Sequence, residues 1–179
     1  MSIIKIASAL ALAGFVCVAQ LALAQSVQPL EKIEFQDARA NEHAASRDEQ
    51  SILDVLRGVE GAFSDTDLPR WLSYFHSSYL IMAPQGVIAP ASESEALALL
   101  RPHIDSLQAR GYDRSELNGA TVKLLSETTA LAAVEWIRRK ADDEELERVG
   151  ATYALFKSDN GWKIVMVTVH SPAALLDLK

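Results

Sequence analysis

Residues 129–170 read TALAAVEWIRRKADDEELERVGATYALFKSDNGWKIVMVTVH, and this stretch decides the fold class. It contains three β-prone runs whose apolar residues recur with a period close to two, at 129–139, 148–157 and 162–170. The segment SDNG at 158–161 is typical of a hairpin turn. Together with a further β-prone run at 121–125, these runs predict an antiparallel meander of four strands.

The residues before the meander carry helical signals. Ser46 and Glu49 match a capping box, and apolar residues then recur at spacings of three and four as far as Phe63. A second, short helix is predicted after Asp67, a good N-cap, with aromatic residues at 71–75 on one face. Residues 79–82 predict a short strand that stops at the turn APQG.

A third helix is predicted to begin at Ser92, which has Glu95 three residues later, and to end at Gly111. Pro102 lies inside it and is expected to kink or split it. Helices followed by an antiparallel meander are the pattern of an α+β fold, with three N-terminal helices packed on one face of a curved antiparallel sheet.

The N-terminal residues 1–24 differ from the rest of the chain. They carry a single charge, Lys5, followed by an apolar run that ends in Ala22-Leu23-Ala24, which predicts a secretory signal peptide cleaved after Ala24. The alternative is an uncleaved membrane anchor. Residues 25–46 are expected to be a flexible segment or a loosely docked short helix, and residues 47–179 the folded domain. An exported protein, periplasmic or secreted, is expected.

The composition excludes several classes of protein. The 179 residues include 17 Lys and Arg against 24 Asp and Glu, a net charge of −7, which excludes a strongly basic nucleic-acid binder. The one cysteine, Cys17, lies in the predicted signal peptide, so the mature chain must fold without a disulfide. The histidines lack metal-ligand spacing, so neither a metal nor another cofactor is expected. The acidic run 142–145 is interpreted as a solvated hairpin tip.

The strand register determines which side chains share a face of the sheet. If Lys140 pairs with Arg148, and Lys157 with Trp162, one face collects Leu131, Ala133, Glu135, Ile137, Ala151, Tyr153, Leu155, Ile164, Met166, Thr168 and His170. The opposite face then collects Ala132, Val134, Trp136, Thr152, Ala154, Phe156, Val165, Val167 and Val169. We expect the helices to cover the first face and a homodimer partner to cover the second, because both are apolar. A slip of one residue would exchange these roles.

The expected interior face includes groups that could perform acid-base chemistry. Glu135 and His170, with Tyr153, could orient or deprotonate a ligand in a pocket. In the simpler interpretation, Glu135 pairs with an arginine at 138 or 139 and His170 caps the last strand. His103 on the third helix either faces the cavity or is an ordinary exposed histidine.

The order of elements and three local stretches resemble the nuclear transport factor 2-like superfamily, and within it the SnoaL-like group. The stretches are DEQ at 48–50, SDTDL at 64–68 followed by 71–75, and GWKIV at 161–165 with the strand that ends in His170-Ser171. The resemblance covers residues 47–171. It implies a cone-shaped α+β barrel around a cavity, and commonly a dimer built on the outer face of the sheet.

The superfamily includes ketosteroid isomerase, whose carboxylate base, tyrosine and protonated aspartate are a known catalytic pattern. Carried over by position, the base falls at Ala83, the tyrosine near Val59 and the aspartate near Ala151 or Thr152. An acidic pair common after the second helix is replaced by Ser77 and Ser78. The resemblance therefore argues against that isomerisation mechanism.

Three functions remain open at this point. The favoured one is a noncatalytic, exported domain that binds a small apolar molecule in a pocket lined by Trp71, Phe75, Met82, His103, Tyr153 and Met166. The second is an isomerase, dehydratase or cyclase-like enzyme that uses Glu135 and His170. The third is an interaction module whose outer sheet face binds a second copy or another exported protein. A membrane is expected to be a partner only through an uncleaved signal segment.

Overall fold

The computed structural model describes residues 38–178 of the chain. The predicted signal peptide, 1–24, and residues 25–37 of the predicted flexible segment lie outside the described residues. The elements in chain order are α1 (Ala38–Ser64), α2 (Leu68–Leu72), β1 (Phe75–Ala83), β2 (Gly86–Ile88), α3 (Glu93–Ala109), β3 (Tyr112–Leu124), β4 (Thr129–Lys140), β5 (Glu145–Ser158), β6 (Gly161–His170) and a final 3-10 turn (Pro172–Ala174).

The helix ends follow local capping chemistry where the sequence carries it. Asp67 accepts a hydrogen bond from the Arg70 amide at 3.1 Å and caps α2. At α3, the Ser92 hydroxyl accepts from the Glu95 amide at 3.2 Å, and the Glu95 carboxylate accepts from the Ala91 amide at 2.8 Å. Both predicted starts are therefore confirmed.

The expected N-cap at Ser46 is wrong, and so is the expected split of the third helix at Pro102. α1 begins at Ala38, so Ser46 lies inside the helix instead of capping it, and residues 38–46 belong to α1. α3 runs from Glu93 to Ala109 as a single helix, and Pro102 does not split it. A proline removes one backbone donor from a helix, and the remaining turns of α3 stay continuous around that loss.

The six strands form one sheet in the order β2-β1-β6-β5-β4-β3. Neighbours are antiparallel except β1 and β6, which are parallel, so the sheet is mixed. β2 and β3 are its two edges, and the sheet is not closed. The predicted α+β class, with three helices and a curved sheet, is confirmed, while the all-antiparallel sheet is wrong because β1 joins the meander alongside β6.

The hydrophobic core identifies the face that the helices cover. Ile52, Leu56, Val59 and Ala62 of α1, together with Trp71, pack against one face of the sheet. The buried strand residues in that cluster are Phe75, Ile81, Ala130, Ala132, Val134, Trp136, Ala151, Tyr153, Leu155, Trp162, Ile164 and Val167. We call this the inner face, and the opposite face the outer face.

The predicted register between β4 and β5 is wrong. Tyr153 pairs with Ala132 and Ala151 with Val134, whereas the assumed pairing placed Tyr153 beside Glu135. The shift is odd, and side chains alternate along a strand, so the predicted faces of β4 are exchanged. Val134 and Trp136 lie on the inner face, while Glu135 pairs with Gly150 on the outer face.

The predicted register between β5 and β6 is correct only at the hairpin. Lys157 pairs with Trp162 and Leu155 with Ile164, as expected, but the pairing then shifts so that Ala154 faces Met166. This irregularity leaves Val165 as an extra residue and reverses the faces of the second half of β6. Val167 is therefore inner, and Met166, Thr168 and His170 are outer, contrary to the prediction.

Candidate functional site

A cavity of about 760 Å³ lies between the helices and the inner face of the sheet. Such a volume is in the range of small-molecule sites in proteins. Its apolar lining comes from α1, α2, α3, β1, β2, β4, β5 and β6, and includes Val59, Phe63, Trp71, Ile81, Ile88, Leu99, Leu100, Trp136, Val149, Ala151, Tyr153, Val167 and Val169. The wall also carries polar groups, and several of these are held by hydrogen bonds to neighbouring residues.

A buried tryptophan and tyrosine form the first polar feature of the cavity. Trp136 Nε1 donates a hydrogen bond to the Tyr153 hydroxyl oxygen at 3.0 Å. Both side chains are buried, with 8% and 5% of their surface exposed. Burial raises the pKa of Tyr153 to about 12, so its hydroxyl is protonated throughout the physiological range. The two side chains can meet because β4 and β5 are adjacent strands and both residues lie on the inner face.

The second polar feature is a charged group where β4 and β5 approach their hairpin. Glu147 accepts from Arg138 and from Arg110. The Arg138 side chain is only 12% exposed, and its guanidinium lies 5.3 Å from the centre of the Phe63 ring. Burial raises the pKa of Glu147, but hydrogen bonds and charge from the two arginines outweigh burial and leave that pKa below its usual value.

His103 of α3 stands next to this group. Its ring centre is 6.4 Å from that of Phe63. Burial by surrounding atoms, and then the charge of Arg138, lower the pKa of His103 from its ordinary value of 6.5. The imidazole is therefore neutral at pH 7, with one donor and one acceptor, and His103 both lines the cavity and is partly exposed to solvent.

Four further polar side chains form hydrogen bonds at the wall between α1 and β3. The Tyr112 hydroxyl and the buried Ser115 hydroxyl are 2.8 Å apart, and the Ser115 amide donates to the Ser64 hydroxyl at 3.0 Å. The Glu60 carboxylate accepts from the Leu117 amide at 3.2 Å. Ser115 and Glu60 border the cavity, but these hydrogen bonds tie α1 to β3.

Three of the six residues predicted to bind a ligand line this cavity: Trp71, His103 and Tyr153. Phe75 lies behind Trp71, with ring centres 4.3 Å apart, and is not on the cavity wall. Met82 and Met166 lie on the outer face, since Met82 pairs with Thr168 and Met166 with Ala154. Their predicted placement in the interior is wrong, because the β6 bulge reverses that part of the sheet.

The two predicted acid-base residues also belong to the outer face. Glu135 hydrogen-bonds the Asn118 amide group and lies 3.6 Å from Arg148. This ion pair resembles the simpler interpretation of Glu135, although the partner is Arg148 instead of residue 138 or 139. Glu135 and His170 flank Gly150 in the sheet, so they share a face as predicted, but it is the face opposite the cavity.

The His170 ring is fixed by two hydrogen bonds at the end of β6. Its Nδ1 lies 2.8 Å from the Ser171 carbonyl oxygen, and its Nε2 lies 3.0 Å from the Thr152 hydroxyl. A carbonyl can only accept, so His170 Nδ1 carries a proton and donates it to the Ser171 carbonyl oxygen. His170 touches the rim of the cavity, while its ring is engaged on the outer face.

Sequence reasoning missed Trp136, Arg138 and Glu147 as cavity residues. Trp136 was expected on the dimer face because of the register error in β4. An aromatic residue in a run of alanines and valines, two positions before an arginine, was the available signal. Ala83 does border the cavity, so the position at which the isomerase resemblance places a carboxylate base carries a methyl group here.

A shallower groove of about 490 Å³ lies elsewhere, beside the irregular part of β1. It is lined by Ser77 to Leu80, by Ala89 to Ala91 and by Val165. The Tyr79 hydroxyl is buried there and has no hydrogen-bond partner within residues 38–178. Its ring packs on Phe75 at 5.0 Å between centres, so Tyr79 serves mainly as an apolar wall.

The described part of the chain has neither a metal-binding cluster nor a membrane-spanning helix. No group of three or more His, Cys, Asp or Glu side chains within residues 38–178 is placed to hold a metal ion. No helix among these residues is long and apolar enough to cross a membrane.

Comparison with known proteins identifies the family. The model of a family described as NTF2-like protein (DUF6841) matches residues 49–172. No curated protein matches the sequence. An NTF2-like protein with a cystatin-like fold from Novosphingobium aromaticivorans is 16% identical, with a TM-score of 0.63 over 78% of this chain and 96% of that one.

Two further solved structures show the same fold at low identity. An NTF-2 like protein of unknown function from Shewanella oneidensis is 20% identical, with a TM-score of 0.55 over 69% of this chain and 98% of that one. The association domain of CaMKII from C. elegans is 15% identical, with a TM-score of 0.55 over 70% and 97%. The family match over most of the described residues, together with this shared fold, leads to one conclusion: the chain belongs to the NTF2-like protein family (DUF6841).

Proposed function

We propose that this protein binds a small, largely apolar molecule in the cavity between the helices and the inner face. The observation that carries the proposal is the cavity itself, about 760 Å³ with an apolar wall and a few fixed polar groups. Transfer of apolar surface from water into such a cavity is favourable by about 25 cal/mol per Å². Polar groups placed at separate points on an apolar wall are typical of sites that orient a ligand.

The positions of the predicted acid-base residues favour noncatalytic binding over catalysis by those residues. Glu135 and His170, the candidates for acid-base catalysis, lie on the outer face, and Ala83 at the cavity carries no carboxylate. The carboxylates that do border the cavity are engaged: Glu147 with two arginines and Glu60 with a backbone amide. The neutral imidazole of His103 also lines the cavity, so an acid-base role there would fall to His103 and not to the predicted pair.

Binding of N-phenyl-1-naphthylamine, an uncharged apolar dye whose fluorescence rises when it leaves water, tests the proposal. We expect saturable binding with one dye per chain. The test variant is Leu100→Trp, because Leu100 of α3 lines the cavity and a larger side chain there occupies the ligand's space. The matched control is Arg101→Trp, because Arg101 is the next residue of α3 and is exposed.

The two variants separate the cavity from nonspecific dye binding. Leu100→Trp is expected to weaken dye binding at least tenfold, while Arg101→Trp leaves it unchanged. Equal affinity in both variants, or dye binding by the wild type that never saturates, would overturn the proposal.

We also propose that the outer face forms a homodimer contact. The support is an apolar surface that includes Leu80 and Phe156, 40% and 39% exposed, with the partly buried Leu131, Ala154 and Met166 beside them. Contiguous apolar surface of this kind is uncommon on monomeric proteins. Sedimentation of the wild type should give twice the chain mass, and Met166→Glu should give monomers of unchanged circular dichroism. A wild type that remains monomeric at high concentration would remove the proposal.

Export is proposed on the sequence of residues 1–24 alone, which have one charge and end in Ala22-Leu23-Ala24. Mass analysis of the protein from an exporting host tests it. The expected mature chain begins at Gln25. A chain that keeps residues 1–24 and stays in the membrane fraction would support the anchor interpretation instead.

A further inference from the structure

Tyr153 lines the cavity, and the hydrogen of its hydroxyl has no acceptor among residues 38–178. The indole Nε1–H of Trp136 can only donate, so in the Trp136–Tyr153 hydrogen bond of 3.0 Å the tyrosine oxygen is the acceptor. The tyrosine O–H must therefore point to another acceptor. Among the residues that the structure describes, Trp136 is the hydroxyl's one hydrogen-bond partner.

A buried hydroxyl hydrogen without an acceptor destabilises the protein unless a water or a ligand accepts a hydrogen bond from it. Tyr153 is buried, with 5% of its surface exposed, and its ring lines the cavity. Its neighbours in the sheet on the inner face are Ala132 and Val167, which offer no side-chain acceptor. Leaving a hydroxyl without a partner in apolar surroundings costs about 1–3 kcal/mol. A water or a ligand oxygen is the natural acceptor.

We propose that the molecule bound in this cavity carries an uncharged carbonyl oxygen, as in a ketone, ester or amide, that accepts a hydrogen bond from the Tyr153 hydroxyl. This inference rests on the proposed function and adds the chemical class of the ligand. Trp136 is then a positioning residue: by occupying the acceptor side of the hydroxyl, it directs the O–H proton toward the cavity.

A charged acceptor such as a carboxylate fits this place less well. Arg138 is the charged residue whose field reaches the Tyr153 hydroxyl, and its guanidinium is already paired with Glu147. A buried anion without a free countercharge is penalised by desolvation. An alcohol would accept from Tyr153 but would add a donor of its own, for which the alanine and valine side chains beside Tyr153 provide no acceptor. An uncharged carbonyl only accepts, and therefore matches the hydrogen of the Tyr153 hydroxyl, which can only be donated.

Two probes of nearly the same shape test the inference: 2-acetylnaphthalene, which has a ketone, and 2-ethylnaphthalene, which lacks one. In the wild type the ketone should bind about three- to tenfold more tightly, the range expected for one net hydrogen bond. Tyr153→Phe should remove this preference and leave the affinity for 2-ethylnaphthalene unchanged. The infrared carbonyl band of bound 2-acetylnaphthalene should shift to lower frequency in the wild type, and this shift should disappear in Tyr153→Phe.

The control variant is Tyr79→Phe, which deletes a buried hydroxyl that lies outside the cavity and has no partner within residues 38–178. It should keep both the preference and the infrared shift. If Tyr153→Phe does not fold, the wild-type infrared band alone decides, since an unshifted carbonyl band would overturn the inference.

The possible failures are distinguishable. If both probes bind the wild type equally and the carbonyl band is unshifted, the cavity binds apolar molecules but Tyr153 is not the donor. If neither probe binds, the proposed function fails, and the inference fails with it.

Discussion

Replacement of Gly150 by alanine should disturb the end of β6 through a contact that can be read directly from the structure. A Cβ atom at residue 150 would lie 2.6 Å from His170 Nδ1, 2.7 Å from His170 Cε1 and 2.8 Å from the Ser171 carbonyl oxygen. The ring can rotate away, but the carbonyl belongs to the backbone, so part of the strand end must move. Overpacking of this kind costs about 1–3 kcal/mol. We expect Gly150→Ala to lower the free energy of unfolding by that amount.

Urea unfolding followed by tryptophan fluorescence measures this loss, because Trp71, Trp136 and Trp162 are all buried. Gly119→Ala is the matched control. Gly119 is in the same row of the sheet, two strands away through Glu135, and a Cβ there would meet nothing within 4 Å. Alanine in such open, extended backbone should be neutral or stabilising by about 0.4–1 kcal/mol, since it reduces the entropy of the unfolded chain.

A double mutant shows whether His170 carries part of the cost. In the background His170→Ala, the ring is gone and only the Ser171 carbonyl contact remains, so Gly150→Ala should cost at least about 0.5 kcal/mol less than in the wild type. The reasoning is refuted if Gly150→Ala is as stable as Gly119→Ala. It is also refuted if the cost of Gly150→Ala is the same with and without His170.

Three further predictions concern charged groups. The Asp48 carboxylate accepts a hydrogen bond from Lys157 at 2.6 Å. Burial raises the pKa of Asp48, but its hydrogen bonds outweigh burial and leave that pKa below the ordinary 3.8. Asp48→Asn should therefore lower the free energy of unfolding by about 1 kcal/mol at pH 7. Since the ionised form is favoured in the folded chain, this cost should be full above about pH 5 and decrease as the pH falls through 3.8 toward the lower pKa of the folded chain. Glu147→Gln should cost about 1–3 kcal/mol, because Arg138 is only 12% exposed and loses its countercharge. The pKa of His103 is lowered in the folded chain, so the unfolded chain takes up a proton at higher pH than the folded chain does, and the free energy of unfolding decreases as the pH drops below 6.5. The free energy of unfolding of His103→Gln should decrease less than that of the wild type between pH 7 and pH 5.

Urea midpoints measured at several pH values check all three, and the first two have a control substitution. Glu49 is the exposed neighbour of Asp48, and Glu49→Gln should change the free energy of unfolding by less than about 0.5 kcal/mol at pH 7. Glu145→Gln breaks an exposed pair with Arg148, whose side chains are 40% and 44% exposed, and should cost less than about 1 kcal/mol. An Asp48→Asn cost that does not decrease as the pH is lowered from 5 through 3.8, or a Glu147→Gln cost no larger than that of Glu145→Gln, would contradict these assignments.

The class of the fold could be predicted because its signals are local. Caps at Asp67 and Ser92, the SDNG turn and the period of the strands each specify a structure within a few residues, and the structure has all of them. The parallel pairing of β1 with β6 has no such signal. It joins residues far apart in the chain, Ile81 with Val167 among them, and depends on the packing of the whole sheet.

The faces of the sheet were harder to predict because they depend on single residues in turns and bulges. In the β4–β5 hairpin, Asp143 takes a left-handed backbone with φ of 69°, and Arg139 pairs with Glu145 after a shift of register. A glycine or an Asn-Gly pair would have marked this turn, but an aspartate within an acidic run does not. In β6, residues 164–167 are all apolar, so no alternation reveals Val165 as the extra residue.

The candidate site inherited both errors. Tyr153, Trp71 and His103 were placed at the cavity because their elements were correct, and β5 keeps its expected face. Trp136, Glu135 and Met166 changed sides with the register of β4 and the bulge of β6. Because the register of β4 is shifted by an odd number of residues, the side chain next to Tyr153 on the cavity wall is Trp136 and not Glu135. The predicted acid-base pair is therefore absent from this wall, and a hydrogen-bond donor lies there.

A crystal structure of the protein with 2-acetylnaphthalene would show whether the cavity holds an apolar ligand whose carbonyl oxygen accepts from Tyr153. We expect the naphthalene ring among Phe63, Val149 and Val169, with its ketone oxygen within about 3 Å of the Tyr153 hydroxyl. Electron density for the ring only on the outer face, or a ketone directed away from Tyr153, would contradict this expectation.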